Sequence, residues 1–167
     1  KGVYILDKSD YSVHPMDRER LKNIPVMYLY ATSDGYMWLS YRSILAKYDI
    51  NGQLVKEYPL RNKYGRTTIS GFCESRNHEI IISVWNGRVY HLDKEKDEFV
   101  PYPDKMRRQN PTVMVQDNEQ DYFWLATWGD GVVRFDPSAP EDSMFVYSEI
   151  PVNAAGEEDG VILSLVQ

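Results

Sequence analysis

Apolar and aromatic residues in this chain fall in short runs broken by Gly, Asp, Asn and Pro, and no stretch of useful length carries a helical period. The clearest case is Asp121 to Asp136, DYFWLATWGDGVVRFD. A run from Tyr122 to Thr127 leads into the turn Trp128-Gly129-Asp130-Gly131. A second run, Val132-Val133-Arg134-Phe135, is stopped by Asp136 and Pro137. Two β-prone runs joined by a short Gly/Asp turn predict a hairpin.

The same pattern recurs. Glu79 to Asp93 reads EIIISVWNGRVYHLD, and Tyr36 to Asp49 reads YMWLSYRSILAKYD. Lys1 to Asp7, KGVYILD, matches the second half of the unit. The closing aspartates Asp7, Asp49, Asp93 and Asp136 stand 42, 44 and 43 residues apart, and all four Trp residues lie inside the hairpins. An all-β repeat of about 40–45 residues is the period of a four-stranded propeller blade.

Each blade is read as four strands from the axis outward. The first comprises Val26–Ala31, Thr68–Cys73 and Thr112–Gln116, with Val161–Val166 opening a further blade. Small residues there suit strands crowded near an axis. The second carries Met37-Trp38-Leu39, Ile80-Ile81-Ile82 and Phe123-Trp124-Leu125, apolar on both faces as in a sheet packed on both sides. The third is Val3–Leu6, Ile44–Tyr48, Arg88–Leu92 and Val132–Phe135. The outer strand, Leu54–Tyr58, Glu98–Tyr102 and Met144–Ser148, alternates as an edge with one wet face does, and prolines fall at or after it. The closing aspartates, each opening a polar turn, are assigned to that turn rather than to catalysis. His14 to Asn23 reads as a connector of one turn.

The expected fold is therefore all-β: one propeller segment over 1–167, with blade pieces 1–23 (partial), 24–66, 67–110, 111–155 and 156–167 (partial). Three full sets of strands, a leading third and fourth strand and a trailing first strand make about four blades. The favoured reading is a piece of a larger ring; an imperfect closed four-blade ring is the alternative.

Bulk properties narrow the function classes. With 167 residues, 43% hydrophobic and 26% charged, the chain has the composition of a soluble globular protein. Net charge of −6 argues against a general nucleic-acid binder. No run reaches membrane-span length, and Lys1 opens directly into a strand-like run, without a signal-peptide pattern. The single cysteine, Cys73, excludes an internal disulfide and, in an apolar run, reads as a buried inert thiol.

The hairpins resemble the two-component regulator propeller repeat. That resemblance is carried by Asp34-Gly35-Tyr36-Met37-Trp38-Leu39-Ser40, Phe123-Trp124-Leu125-Ala126-Thr127, Gly131-Val132-Val133-Arg134-Phe135-Asp136 and Leu45-Ala46-Lys47-Tyr48-Asp49. The middle copy departs, with Ile81 for the Trp and Asn77-His78 for Asp-Gly. The resemblance implies part of a seven-bladed propeller in the periplasmic (extracytoplasmic) region of a Bacteroidetes-type hybrid two-component sensor. Such a segment is non-enzymatic: it detects oligosaccharide and passes the signal through one membrane helix to a histidine kinase elsewhere in the parent chain. Membrane contact would come only through the parent.

In a propeller, the turn between second and third strands shares an end with the link to the next blade. The turns here carry Tyr41-Arg42-Ser43, Trp85-Asn86-Gly87-Arg88 and Trp128-Gly129-Asp130. The links carry Lys63-Tyr64-Gly65-Arg66, Lys105-Met106-Arg107-Arg108-Gln109-Asn110 and Glu157-Glu158-Asp159. Rings beside Arg, Asn and Asp suit sugars, and the arginines suit uronate or sulfate. Tyr41, Arg42, Arg66, Trp85, Asn86, Arg88, Arg107, Arg108, Trp128 and Asp130 are thus the candidate ligand contacts. Packing is the competing reading for the two Trp residues, and a solvated loop for Arg107 and Arg108. Trp38, Trp124 and the closing aspartates are assigned to the repeat's structure.

No catalytic residue, metal site or cofactor is expected. His14, His78 and His91 fall at different repeat positions without zinc spacing, and no nucleophile elbow or phosphate loop occurs. Asp117 to Asp121 lacks the Gly and distal Glu of an EF-hand and reads as an exposed turn. Two alternatives stay open: a propeller enzyme acting on carbohydrate or lactone, and a scaffold whose turn face takes a protein partner or a second copy, as in a homodimer.

Overall fold

The computed structural model describes residues 2–62, 65–85, 87–106, 111–129, 131–148, 161–162 and 164–165, with backbone alone at 61, 62, 65 and 66. Two compact units divide it, Lys1–Thr67 and Thr68–Gln167.

The first unit begins with an antiparallel hairpin, β1 (Val3–Leu6) and β2 (Val13–Met16), followed by a single helical turn, α1 (Arg18–Leu21). A four-stranded sheet follows: β3 (Val26–Ala31), β4 (Met37–Tyr41), β5 (Ile44–Tyr48) and β6 (Leu54–Pro59), hydrogen-bonded in chain order. A short ribbon, β7 (Arg61–Asn62) with β8 (Gly65–Arg66), completes it. The second unit holds two further sheets in chain order. One comprises β9 (Ile69–Glu74), β10 (Ile80–Val84), β11 (Val89–Asp93) and β12 (Glu98–Pro101). The other comprises β13 (Pro111–Gln116), β14 (Phe123–Thr127), β15 (Val132–Phe135) and β16 (Phe145–Tyr147). Three four-stranded antiparallel meanders, almost without helix, are β-propeller blades.

β1, β3, β5 and β15 run over the expected residues, and the other expected strands start or stop within a residue or two. One assignment changes. His14 to Met16 lie in β2 instead of a connector, because a strand paired only with β1 tolerates Pro15 on its open edge. The helical turn after it is α1. Of the trailing first strand, the described residues show one bridge, Val161 to Trp128, and a bond from Ile162 N to Thr127 O.

Second strands are the most buried. Every residue of β10 is buried, as are four of five in both β4 and β14. In the first unit, Met16, Leu21, Leu39, Tyr41, Ala46 and Tyr48 form a core, joined by Val3 and Ile5 from the hairpin. Polar bonds fix α1 to its blade: Tyr48 Oη donates to Asp17 Oδ2 at 3.0 Å, and Arg20 reaches Glu57 at 3.0 Å and Asp17 at 3.3 Å. In the second unit, Ile81, Val89, Met114, Phe123, Leu125, Val133 and Phe135 pack between the two sheets. Phe135 stacks on Phe145 with centroids 5.0 Å apart and meets Tyr102 edge-on at 5.0 Å.

The inner strands β9 and β13 approach closely at Gly71. A Cβ there would stand 2.6 Å from Ser83 Oγ, 3.1 Å from Met114 Cβ and 3.3 Å from Met114 N. The small residue answers to crowding, as expected of an inner strand.

All four repeat aspartates cap their turns. Backbone N–H groups donate to Asp7 from Ser9, to Asp49 from Asn51 and Gln53, to Asp93 from Glu95 and Lys96, and to Asp136 from Ser138, at 2.8–3.1 Å. Their recurrence is turn chemistry.

Candidate functional site

Within each unit, second-to-third turns and blade links share one end of the sheets. Leu60 N donates to Ser43 O, Met106 N to Gly87 O and Trp85 N to Thr68 O, at 2.8, 3.0 and 2.8 Å. The candidate turns are therefore braced by the connections beside them.

β4 and β5 pair up to Tyr41 and Ile44, leaving Arg42 and Ser43 as a two-residue turn. Arg42 is exposed with φ 56, the left-handed conformation that tight hairpins require. Tyr41 belongs to the core instead: it is 2% exposed, and its hydroxyl donates to Glu57 Oε1 at 2.5 Å. The ligand-contact expectation fails for Tyr41, because pairing with Ile44 draws it into the sheet. Burial and the Glu57 carboxylate push its phenol up to about 12.

The second unit presents two Trp residues at the same repeat position. Trp85 is 46% exposed and Trp128 52% exposed, both directly after a buried second strand. Gly87, at φ 79, gives the first of these turns its return. Arg88 is half-buried just before β11. Asn86, Arg107, Arg108 and Asp130 lie outside the described residues, as do the side chain of Arg66 and the link at 157–159. Among the described members, the structure thus leaves Arg42, Trp85 and Trp128 open to solvent at turns.

Sequence reading missed three features. Met106, inside a charged link, is fully buried in the core of the second unit. At the opposite end of the sheets, Arg76 clamps the 117–121 turn: its backbone N donates to Gln116 Oε1 at 2.7 Å, and its guanidinium donates to Asn118 O at 2.6 Å, to Gln120 O and to Asp121 Oδ1 at 2.9 Å. That turn, exposed as expected, is closed by Asp117, which accepts from Trp124 Nε1 at 2.8 Å and from the N–H groups of Glu119 and Gln120. The Trp124 bond leads in holding the Asp117 carboxyl below its ordinary range.

The third feature is a repeated cation–aromatic contact. Lys47 Nζ sits 3.7 Å from the Tyr36 centroid and 5.5 Å from that of Trp38; Arg134 Cζ sits 5.1 Å from the Tyr122 centroid. Trp38 pairs with Lys47 across strands, and Trp124 with Arg134. The two copies thus place aromatic rings and a cation at matching positions. Cys73 is buried, its thiol pushed up to about 11 by desolvation.

No protein-family model matches the chain, and no curated relative does. Solved structures do. The extracellular domain of a protein described as a hybrid two component system from B. thetaiotaomicron superposes with TM-score 0.70 at 12% identity, over 98% of this chain and 22% of that one. A second such extracellular domain from B. thetaiotaomicron gives 0.68 at 14% identity, over 100% and 21%. Virginiamycin B lyase from Staphylococcus aureus gives 0.66 at 20% identity, over 92% and 50%. The chain spans half the length of the lyase and about a fifth of the sensor domains. Among the described residues, no helix is long and apolar enough to cross a membrane. These likenesses establish the β-propeller fold, shared with extracellular domains of Bacteroides hybrid two-component systems.

Proposed function

We propose that this chain is a blade segment of a ligand-sensing propeller in the extracytoplasmic part of a hybrid two-component sensor. It binds oligosaccharide without turning it over, and the parent protein relays the signal to a histidine kinase. One observation carries the reading: Trp85 and Trp128 stand half-exposed at the same turn of two adjacent blades, although every preceding residue of β10 and four of five in β14 are buried. Rings held open on a rigid sheet end can stack on the apolar face of a sugar while nearby polar groups bond to its hydroxyls. The likeness to sensor extracellular domains supports the location.

The test is oligosaccharide binding by calorimetry with Trp85→Ala and Trp128→Ala. Loss of affinity with stability nearly unchanged supports the reading. A large stability loss with affinity unchanged would return both rings to packing.

The likeness to virginiamycin B lyase favours a second reading, a propeller enzyme acting on carbohydrate or a lactone. Turnover of such a substrate by the purified chain would replace the sensor reading.

A further inference from the structure

We infer that the groove between the β1–β2 hairpin and α1 is a separate binding site for an acidic sugar, one bearing a carboxylate or sulfate. The inference rests on the oligosaccharide reading above, and it names a different site and a ligand class. The groove encloses about 370 Å³, within the range of small-molecule sites. Its floor is apolar: Met16 is 2% exposed and Leu21 1%. Tyr4, 59% exposed, supplies a ring wall, and Asn23 an amide.

The mouth carries two cations, Arg18 and Lys22, four residues apart around the helical turn and so on one side of it. Among the described residues neither has an ion-pair partner. The acids nearby are committed elsewhere: Asp17 to Arg20 and the Tyr48 hydroxyl, and Glu57 to Arg20 and the Tyr41 hydroxyl. Glu19 adjoins Arg18 in sequence, but neighbours along a helix point apart. Two like charges at this spacing oppose each other, and a bound anion removes that repulsion.

The chemistry selects the ligand. A guanidinium takes a carboxylate or sulfate through two parallel hydrogen bonds, and an ammonium adds a point charge. An inorganic anion would use these cations but leave the Tyr4 ring and the apolar floor idle. An acidic sugar uses all of them. α1 occupies the link from an outer strand to the next inner strand, the class of connection that braces the turns described above. No repeat motif covers this link, so pattern reading passed over it.

Calorimetry of the 167-residue chain with a glucuronate-containing disaccharide, its sulfated form, neutral cellobiose and sodium sulfate tests the assignment. Both acidic disaccharides should bind more tightly than cellobiose, and more weakly as salt rises. Arg18→Ala with Lys22→Ala, at exposed positions, should lower that affinity about tenfold or more at unchanged melting temperature. Tyr4→Ala should weaken the disaccharides but not inorganic sulfate.

Three results would overturn the inference: no binding of either acidic disaccharide at millimolar concentration, wild-type affinity in the double variant, or sulfate binding as tightly as the disaccharides with Tyr4→Ala silent. Loss through Trp85→Ala and Trp128→Ala alone would remove the groove and keep the turn site. Loss through Arg18→Ala and Lys22→Ala alone would do the reverse.

Discussion

Gly71→Ala tests how closely the two blades of the second unit are packed. Gly71 is not at positive φ, so alanine fits the backbone there without strain. Restricting the unfolded chain would by itself stabilise the protein by about 0.4–1 kcal/mol. Against that, the new methyl falls 2.6 Å from Ser83 Oγ, 3.1 Å from Met114 Cβ and 3.3 Å from Met114 N. The hydroxyl can rotate only by leaving Ser70 Oγ, 3.3 Å away in a fully buried site. Met114 Cβ and N move only with the backbone of β13. Such overpacking costs about 1–3 kcal/mol, so it wins. Two of the three contacts move only with backbone, which places the cost in the upper half of that range, so the net loss should be about 1–2.6 kcal/mol, lowering Tm by about 2–10 °C for a chain of this size. Urea unfolding followed by Trp fluorescence reads it, with an unchanged m-value. Adding Ser83→Ala removes the nearest clash and should recover part of the loss, a coupling of about 0.5 kcal/mol or more. If Gly71→Ala left stability unchanged or raised it, the close approach of β9 and β13 would be refuted.

Acid should weaken the turns first. Bonds from Lys96 and Ser138 lead in holding Asp93 and Asp136 below their ordinary carboxyl range. Their folded pKa is depressed, so their contribution is present above about pH 4 and is lost as pH falls below it; Asp136→Asn should flatten the acid limb of the stability–pH curve. At the alkaline end Tyr41 and Tyr102 are each pushed up to about 12, chiefly by burial. That stability is present below about pH 10 and is lost as pH rises toward 12, and phenolate absorbance should appear together with unfolding. Cys73, 8% exposed with its thiol at about 11, should resist a disulfide reagent at pH 8 and react once urea unfolds the chain.

The blades were legible because a period of about 43 residues fixes strand order before any single strand is certain. Alternation carried the outer strands. It says nothing about β4, MWLSY, where both faces are covered and every residue but Met37 is buried. That is why Tyr41 read as the turn's first residue although it is the sheet's last. Met106 escaped notice because one apolar residue between Lys105 and Arg107 has no period, so a loop anchored in the core resembles a loop in water. Arg76 escaped because its partners lie forty or more residues away, two of them backbone carbonyls, and a carbonyl has no sequence signature. Lys47 and Arg134 stood inside the motif, yet only cross-strand register puts them opposite Trp38 and Trp124.

The middle blade shows what that motif does. It has Glu79, Ile81 and His91 where its neighbours have tyrosine, tryptophan and a cation, and it still forms four paired strands. Ile81 is fully buried there, and His91 meets Tyr102 with ring centroids 5.0 Å apart. The cation–aromatic contact is therefore one of several ways to fill that blade face. What all three blades retain is the aspartate-capped turn and the apolar second strand. A sequence pattern built on those features finds blades. Arg18, Lys22 and Tyr4 belong to neither feature, so such a pattern would pass over the groove inferred above.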